Sequence, residues 1–363
     1  MSISPRRTTS RGPRGPRFVL SILAGTVVGM GIAAAAGAGV IRVEPAATDS
    51  THTLAGALAE AAPGDTLLLA PGLYRGIYDL PRGVSVVGAA GPDSTILDAD
   101  GGRYVLSGRG LDSTTVIAGL TLQNGKRDHP NSGGGGIYLY RSSPVIVNNV
   151  FRNHLGYFGA GVYTNYGCNP VIAFNRFHDN EAHLGGALAA YQDCAPLVYE
   201  NFVYSNRAVS GGGMLCLNSA PVLVHNTWVA NRAEPGGGGA LYGDSSPALV
   251  VGNVFAYNED PKRDGGAVFA LDDDRPAVLR DNILWENLGG AEGGACAPFV
   301  GVEGNCSEDP QFMDRQRFLL ERQPAAASCQ PTAGARRWSG PVVPAVPDSI
   351  LGLWREWRRS GAR

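Results

Sequence analysis

The sequence predicts an all-β solenoid, and three observations predict it. First, the stretch from Gly133 to Asn287 repeats one phrase six times: glycines and a short apolar run, a Pro, another apolar run, then Asn-x-apolar. The prolines stand at 144, 170, 196, 221, 247 and 276, in steps of 26, 26, 25, 26 and 29 residues. Self-similarity at such a period marks stacked repeats that bury their apolar faces against one another. Second, the residues two places after each Pro are Ile146, Ile172, Val198, Leu223, Leu249 and Val278, all apolar. Third, an Asn follows at 149, 175, 201, 226, 253 and 282, and two places beyond it come Phe151, Phe177, Val203, Trp228, Phe255 and Leu284. These are two inward columns of short strands with Asn in the bend between them. Helical repeats would need apolar spacings of 3 and 4, and so many Gly and Asn would melt them.

With phrases such as Gly-Gly-Gly-Ile-Tyr-Leu-Tyr-Arg-Ser-Ser-Pro-Val-Ile-Val-Asn-Asn-Val-Phe (134–151), the chain resembles the right-handed parallel β-helix proteins of the pectin-lyase-like superfamily. The resemblance covers residues 52 to 313 and implies a right-handed parallel β-helix of about ten coils. It implies no single chemistry, since one such fold hosts lyases, hydrolases, epimerases, adhesins and binding proteins.

The elements follow in order. Residues 1–42 read as a signal peptide or an N-terminal membrane anchor. Five of its six Arg, and no acid, lead into the apolar run Phe18 to Ile41, which is long enough to span a bilayer and whose second half, Ala33 to Gly39, offers small residues suited to cleavage. Thr53 to Ala62 reads as a short helix with Leu54, Leu58 and Ala61 on one face, capping the open end of the solenoid. Less regular coils (Thr66-Leu-Leu-Leu-Ala, Val84-Ser-Val-Val-Gly, Thr95-Ile-Leu-Asp) follow, separated by Pro-Gly, Gly-Pro and Asp-Gly turns. The β-helix spans 43–313. Beyond it, 314–363 reads as a poorly ordered tail rich in Ala, Pro and Arg, ending in a short amphipathic helix with Ile350, Leu351, Leu353, Trp354 and Trp357.

Composition bounds the partners. Gly, at 51 of 363 residues, is about twice the ~7% of average proteins, as tight bends require. The net charge is −2, and without residues 1–42 it is −8, from 24 basic against 32 acidic side chains. That balance leaves no footprint for nucleic acid, so the expected membrane contact is through the N-terminal segment alone. Six cysteines suit export. Cys168 and Cys194 stand one coil apart, and the ~4.8 Å strand spacing fits a disulfide. Cys296 and Cys306 are expected to close a local loop, and Cys216 to be a buried free thiol.

Chemistry has few candidates. The Asn column, and a second one at Asn153, Asn180, Asn206, Asn231, Asn258 and Asn287, read as structural ladders. After the second column, Glu181 with Arg207 and Arg232 with Glu259 are expected to pair across adjacent coils. Three residues before each Pro run Arg141, Gly167, Asp193, Asn218, Asp244 and Asp273, with Asp272 beside the last. Such a stripe could hold Ca²⁺ or sugar hydroxyls, although Asp and Asn are also ordinary turn residues. Tyr140, Tyr166 and Tyr191 lie in the same neighbourhood and offer flat rings to sugar faces. No cofactor is required by any motif. Of the catalytic signatures that the resemblance brings with it, only an Asp-Asp pair (within 272–274) is present. The expectation is an exported protein, periplasmic, secreted or at the cell surface, that binds carbohydrate or serves as structure. Its partner would be a polysaccharide or cell-surface glycan. The alternatives are a polysaccharide lyase, hydrolase or epimerase acting through the acidic stripe, and a protein-binding, adhesin-like scaffold.

Overall fold

The computed structural model describes residues 38–45, 53–127, 133–261, 265–270, 277–289, 304–307, 309–310, 312–314 and 319–320, with Asp348 and Leu351. Over these the chain winds as a right-handed parallel β-helix of about nine turns. One coil shows the plan: strands Ile137–Tyr140, Val145–Val147, Val150–Arg152 and Leu155–Phe158, after which Val162–Asn165 begins the next. Each strand pairs in parallel with its counterpart in the neighbouring coil, building four sheets of 8, 10, 9 and 7 strands. We refer to them as the first to fourth sheets, in the order of the strands in that coil.

Two-residue bends join the second sheet to the third and the third to the fourth. The first residue of each bend takes a left-handed φ, as at Asn148 (54°), Glu200 (48°), Asp179 (55°) and Ser205 (54°), and the second is the inward Asn. At the glycine corner before the first sheet, Gly185 has φ +74°, and a Cβ there would meet the Leu188 carbonyl oxygen at 2.2 Å, so only Gly fits.

Two stacked columns run through the core beside the inward side chains of the first sheet, such as Ile137, Val162 and Leu188. Phe151 lies on Phe177 with ring centroids 4.6 Å apart and planes 5° apart, and Trp228 lies on Phe255 at 6.0 Å and 9°. Ile146, Ile172, Val198 and Leu223 face inward as expected. Leu249 and Val278 do not. Val250 and Leu279 replace them, paired in register with Leu223 and with each other. The segment from Pro to ladder Asn is one residue longer in those two coils, and a one-residue slip turns a strand's side chains to the other face.

Both ladders form. Asn201 Oδ1 accepts the backbone N–H of Asn175 at 2.9 Å and its Nδ2 at 3.0 Å, while Asn201 Nδ2 donates to the Ile172 carbonyl at 2.8 Å. The first ladder runs from Asn149 through Asn282 to Asn305, one rung beyond the expected column. The second begins at His154 rather than Asn153, which occupies the exposed left-handed position of the bend. His154 Nδ1 accepts from Gly125 N at 3.0 Å, and Nε2 donates to the Leu122 carbonyl at 3.0 Å. Burial lowers its pKa from 6.5 to about 3.

The cysteines need correction. Cys168 and Cys194 are free thiols in this structure. They belong to a third ladder, of hydroxyls and thiols. Leu111 N donates to Ser142 Oγ (3.1 Å), Ser142 N to Cys168 Sγ (3.2 Å), and Cys168 N to Cys194 Sγ (3.3 Å). Each sulfur thus takes the N–H of the coil before it, the job Ser246 Oγ performs for Ser219 N at 3.1 Å. Cys216 is free and buried, as expected. Cys306 is disulfide-bonded, and Cys296 lies outside the described residues.

At the N-terminal end, helix Leu54–Glu60 buries Leu54, Ala57 and Leu58, with Thr53 Oγ1 capping Gly56 N at 3.2 Å. The first strand, Val40–Val43, pairs with Thr66–Leu69, so the solenoid begins three residues before the boundary expected at 43. At the other end, Phe312–Asp314 and Leu319–Leu320 pair antiparallel. Among the described residues, no helix is long and apolar enough to cross a membrane. Arg232 pairs with Glu259 at 2.7 Å, but Glu181 and Arg207, opposite in register, form no ion pair. Such exposed pairs contribute ~0–1 kcal/mol at most.

Candidate functional site

The outer face of the first sheet carries most of the residues singled out above. Alternation along Ile137–Tyr140 turns Ile137 and Leu139 into the core and leaves Tyr138 and Tyr140 outside. Tyr140 pairs in register with Asn165, and Asn165 with Tyr191. Tyr166 follows Asn165 in the turn, at φ 58°, and is 42% exposed. The rings form a row: Tyr140 to Tyr166 is 5.6 Å, and Tyr166 to Tyr191 is 6.4 Å edge-on. Two guanidiniums flank its first ring, Arg109 at 4.8 Å from the Tyr140 centroid and Arg141 at 5.4 Å.

The acidic stripe is less regular than counting from the prolines implies. Arg141, Asp193 and Asn218 all hold left-handed turn positions (φ 48°, 57° and 47°), as Gly167 does at 69°. The turns differ in length, however. Tyr166-Gly167 and Gln192-Asp193 are both left-handed pairs, whereas Arg141 and Asn218 stand alone. Asp244 is the last residue of its strand, opposite Leu217, and Ser245 takes the left-handed place (φ 49°). Asp193 N bonds the Asn218 carbonyl and Asn218 N the Asp244 carbonyl, so Asn218 separates the two acids. Two strand spacings amount to ~10 Å, too far for one cation to bridge directly at 2.3–2.6 Å per ligand. Among the described residues, no three His, Cys, Asp or Glu side chains gather as a metal site. Asp272 and Asp273 lie outside the described residues. Asp193, Asn218, Gly167, Asn169, Ser219 and Ser245 do share one open depression of about 270 Å³.

Sequence reasoning missed the corner between the fourth and first sheets. There Phe158 stacks on Tyr163 at 5.1 Å and 13°, and reaches Tyr191 at 5.6 Å. Leu184, Leu215 and Tyr242 extend this outer apolar strip beside the tyrosine row. Burial raises the Tyr163 pKa, so its hydroxyl stays protonated at neutral pH. The signal available was the run of aromatic and apolar residues at outward strand positions, which alternation alone assigns to solvent.

A second polar cluster occupies the outer face of the third sheet. His178 Nδ1 meets Asp179 Oδ2 at 2.7 Å and its ring stacks on Tyr204 at 4.9 Å. Arg152 is held by Gln123 and Arg176 by Asp93, so each arginine already has a partner. Burial, first, and the neighbouring arginines depress the His178 pKa against the pull of Asp179.

Fold and site together define a right-handed parallel β-helix repeat protein with the pectin-lyase-like fold. The family model of the right-handed β-helix region matches residues 110–289. No curated protein matches the sequence. Among solved structures, the pectate lyase Pel9A aligns at 12% identity and a TM-score of 0.52, covering 88% of this chain and 91% of that one. That likeness establishes the fold. An alginate lyase from Paenibacillus sp. str. FPU-7 aligns at 14% identity and a TM-score of 0.29, covering 69% of this chain and 97% of that one, too low to carry an argument.

Proposed function

We propose that this protein is an exported glycan-binding β-helix that holds a polysaccharide along the outer face of its first sheet. The observation that carries the reading is the row Tyr140, Tyr166 and Tyr191, whose rings repeat at 5.6 and 6.4 Å along the coil axis. Stacked coils repeat at ~4.8 Å, so the row offers one ring per coil, and with planes 59° and 81° apart the rings present faces and edges in alternation to a bound chain. Arg109 and Arg141 at one end, and Asp193, Asn218 and Asp244 at the other, supply hydrogen bonds to hydroxyls. The Arg-rich leader and apolar run before the solenoid support export to the periplasm, the cell surface or the medium. Ca²⁺ belongs to this reading only as a bridge between the glycan and single rim carboxylates.

The test is a glycan array followed by titration of the best neutral and acidic hits. Tyr140→Ala combined with Tyr166→Ala is expected to weaken binding at least tenfold, because it removes two of the three rings in the row, while the melting temperature holds within a few degrees. Unchanged binding in the double variant would refute this face. Release of shortened or unsaturated sugars by the wild type would replace binding with catalysis.

A further inference from the structure

The outer face of the second sheet is dressed as a core. Its outward positions include Val147, Ala173, Leu197, Val222, Val224 and Leu249, which form one continuous apolar cluster. Leu197 and Val222 are 0% exposed although they point away from the solenoid interior, where Val198 and Leu223 point inward. The first and third sheets carry Tyr, Arg and His at several equivalent positions, and their outer apolar clusters, around Leu215 and around Val254, are smaller. Parallel sheets are stable when both faces are covered, and a bare patch of this size on a soluble protein would be unusual. Leu351 packs directly against this cluster and is helical, as is Asp348.

We propose that the C-terminal segment from Asp348 to Trp357 docks on the outer face of the second sheet of its own chain and is an integral layer of the fold. The sequence around the anchored Leu351 suits that place. Ile350, Leu351, Leu353, Trp354 and Trp357 supply a wide apolar stripe, while Arg355 and Arg359 fall on the remaining side. Asp348 stands at the start and the arginines towards the end, the order the helix dipole favours. The connection from 321 to 347 does not limit the placement: extended, it reaches up to ~90 Å, whereas nine coils stack within ~45 Å. The occupant is therefore this segment rather than a foreign partner, and its removal exposes a face that other copies can share.

Two proteins test this: the chain ended after Pro347, and full-length Leu351→Asp. Each is expected to raise the fluorescence of a hydrophobic-surface dye several-fold and to melt below the wild type. The shortened chain should also self-associate at micromolar concentration in light scattering, and tryptophan emission of Leu351→Asp should shift to the red. Dye binding and melting at wild-type values in both proteins would overturn the proposal. So would a wild-type dimer that Leu351→Asp converts to monomers, since the segment would then lie on a second copy.

Discussion

The two asparagine bends of each coil place the same side chain in the same kind of corner, and their ladders begin differently. The ladder between the second and third sheets is amide from Asn149 to Asn305. The ladder between the third and fourth sheets starts with an imidazole, His154, and continues through Asn180 to Asn287. Each rung needs one acceptor for a backbone N–H and one donor for a carbonyl. Neutral His supplies both, Nδ1 as acceptor and Nε2–H as donor, in place of the amide oxygen and nitrogen. The difference is that an amide never titrates. One ladder is indifferent to pH, and the other depends on a proton being absent.

The largest effect is expected from breaking a rung in mid-ladder. Asn226→Leu removes the acceptor used by Asn201 N and Nδ2 and the donor to the Val198 carbonyl. Asn201 Nδ2 keeps the Ile172 and Tyr199 carbonyls, but leaving Asn201 N and the Val198 carbonyl without these partners, at ~1–3 kcal/mol each, should cost roughly 2–6 kcal/mol. Urea unfolding of this variant and of Asn206→Leu in the second ladder should give similar losses. A loss below ~1 kcal/mol in either would show that its ladder is not structural.

A smaller effect should come from acid. His154 holds a folded-state pKa of about 3 against an ordinary 6.5, through burial. The unfolded chain therefore binds the proton first. The stability tied to neutral His154 is complete above pH 6.5 and declines as pH falls towards 3, by roughly 1.4 kcal/mol per unit once below 6.5. Between pH 7 and pH 5 the loss should be about 2 kcal/mol. His154→Asn, which continues the amide ladder, should remove that part of the slope. Equal slopes in the two proteins would mean that His154 is not the titrating rung.

The smallest change is expected in the hydroxyl–thiol ladder. Cys168→Ser keeps an acceptor for Ser142 N, as Ser246 does for Ser219, so the loss should stay below ~1 kcal/mol. With reductant absent, native protein should show no protection of Cys168 beyond burial. A larger loss on substitution, together with a Cys168–Cys194 link in mass spectra, would restore the disulfide.

Much of this architecture was legible before any coordinates. The Pro and Asn spacing, the apolar pair around each Asn and the Phe and Trp columns state the length of a coil and which side chains of two of its strands face in. Repetition makes these features redundant, so each coil corroborates the next. A period, however, locates a residue only to within one position. Asn153 and His154 are neighbours, and the bend's left-handed φ decides which one turns inward. The same ambiguity placed Leu249 for Val250 and aligned Asp244 with Asn218.

What the sequence alone determined is therefore the repeat: a β-solenoid whose strands and bends follow from local pattern and the need to bury alternate side chains. Tertiary structure alone decided what depends on stacking between coils. It set the register of each ladder, made Cys168 and Cys194 acceptors of N–H groups rather than partners in a bond, and separated Asp193 from Asp244. It also brought Leu351 across some hundred residues of chain to the second sheet. The physical reason is that hydrogen bonds run from coil to coil, so a side chain's partners are set by turn lengths that differ by single residues.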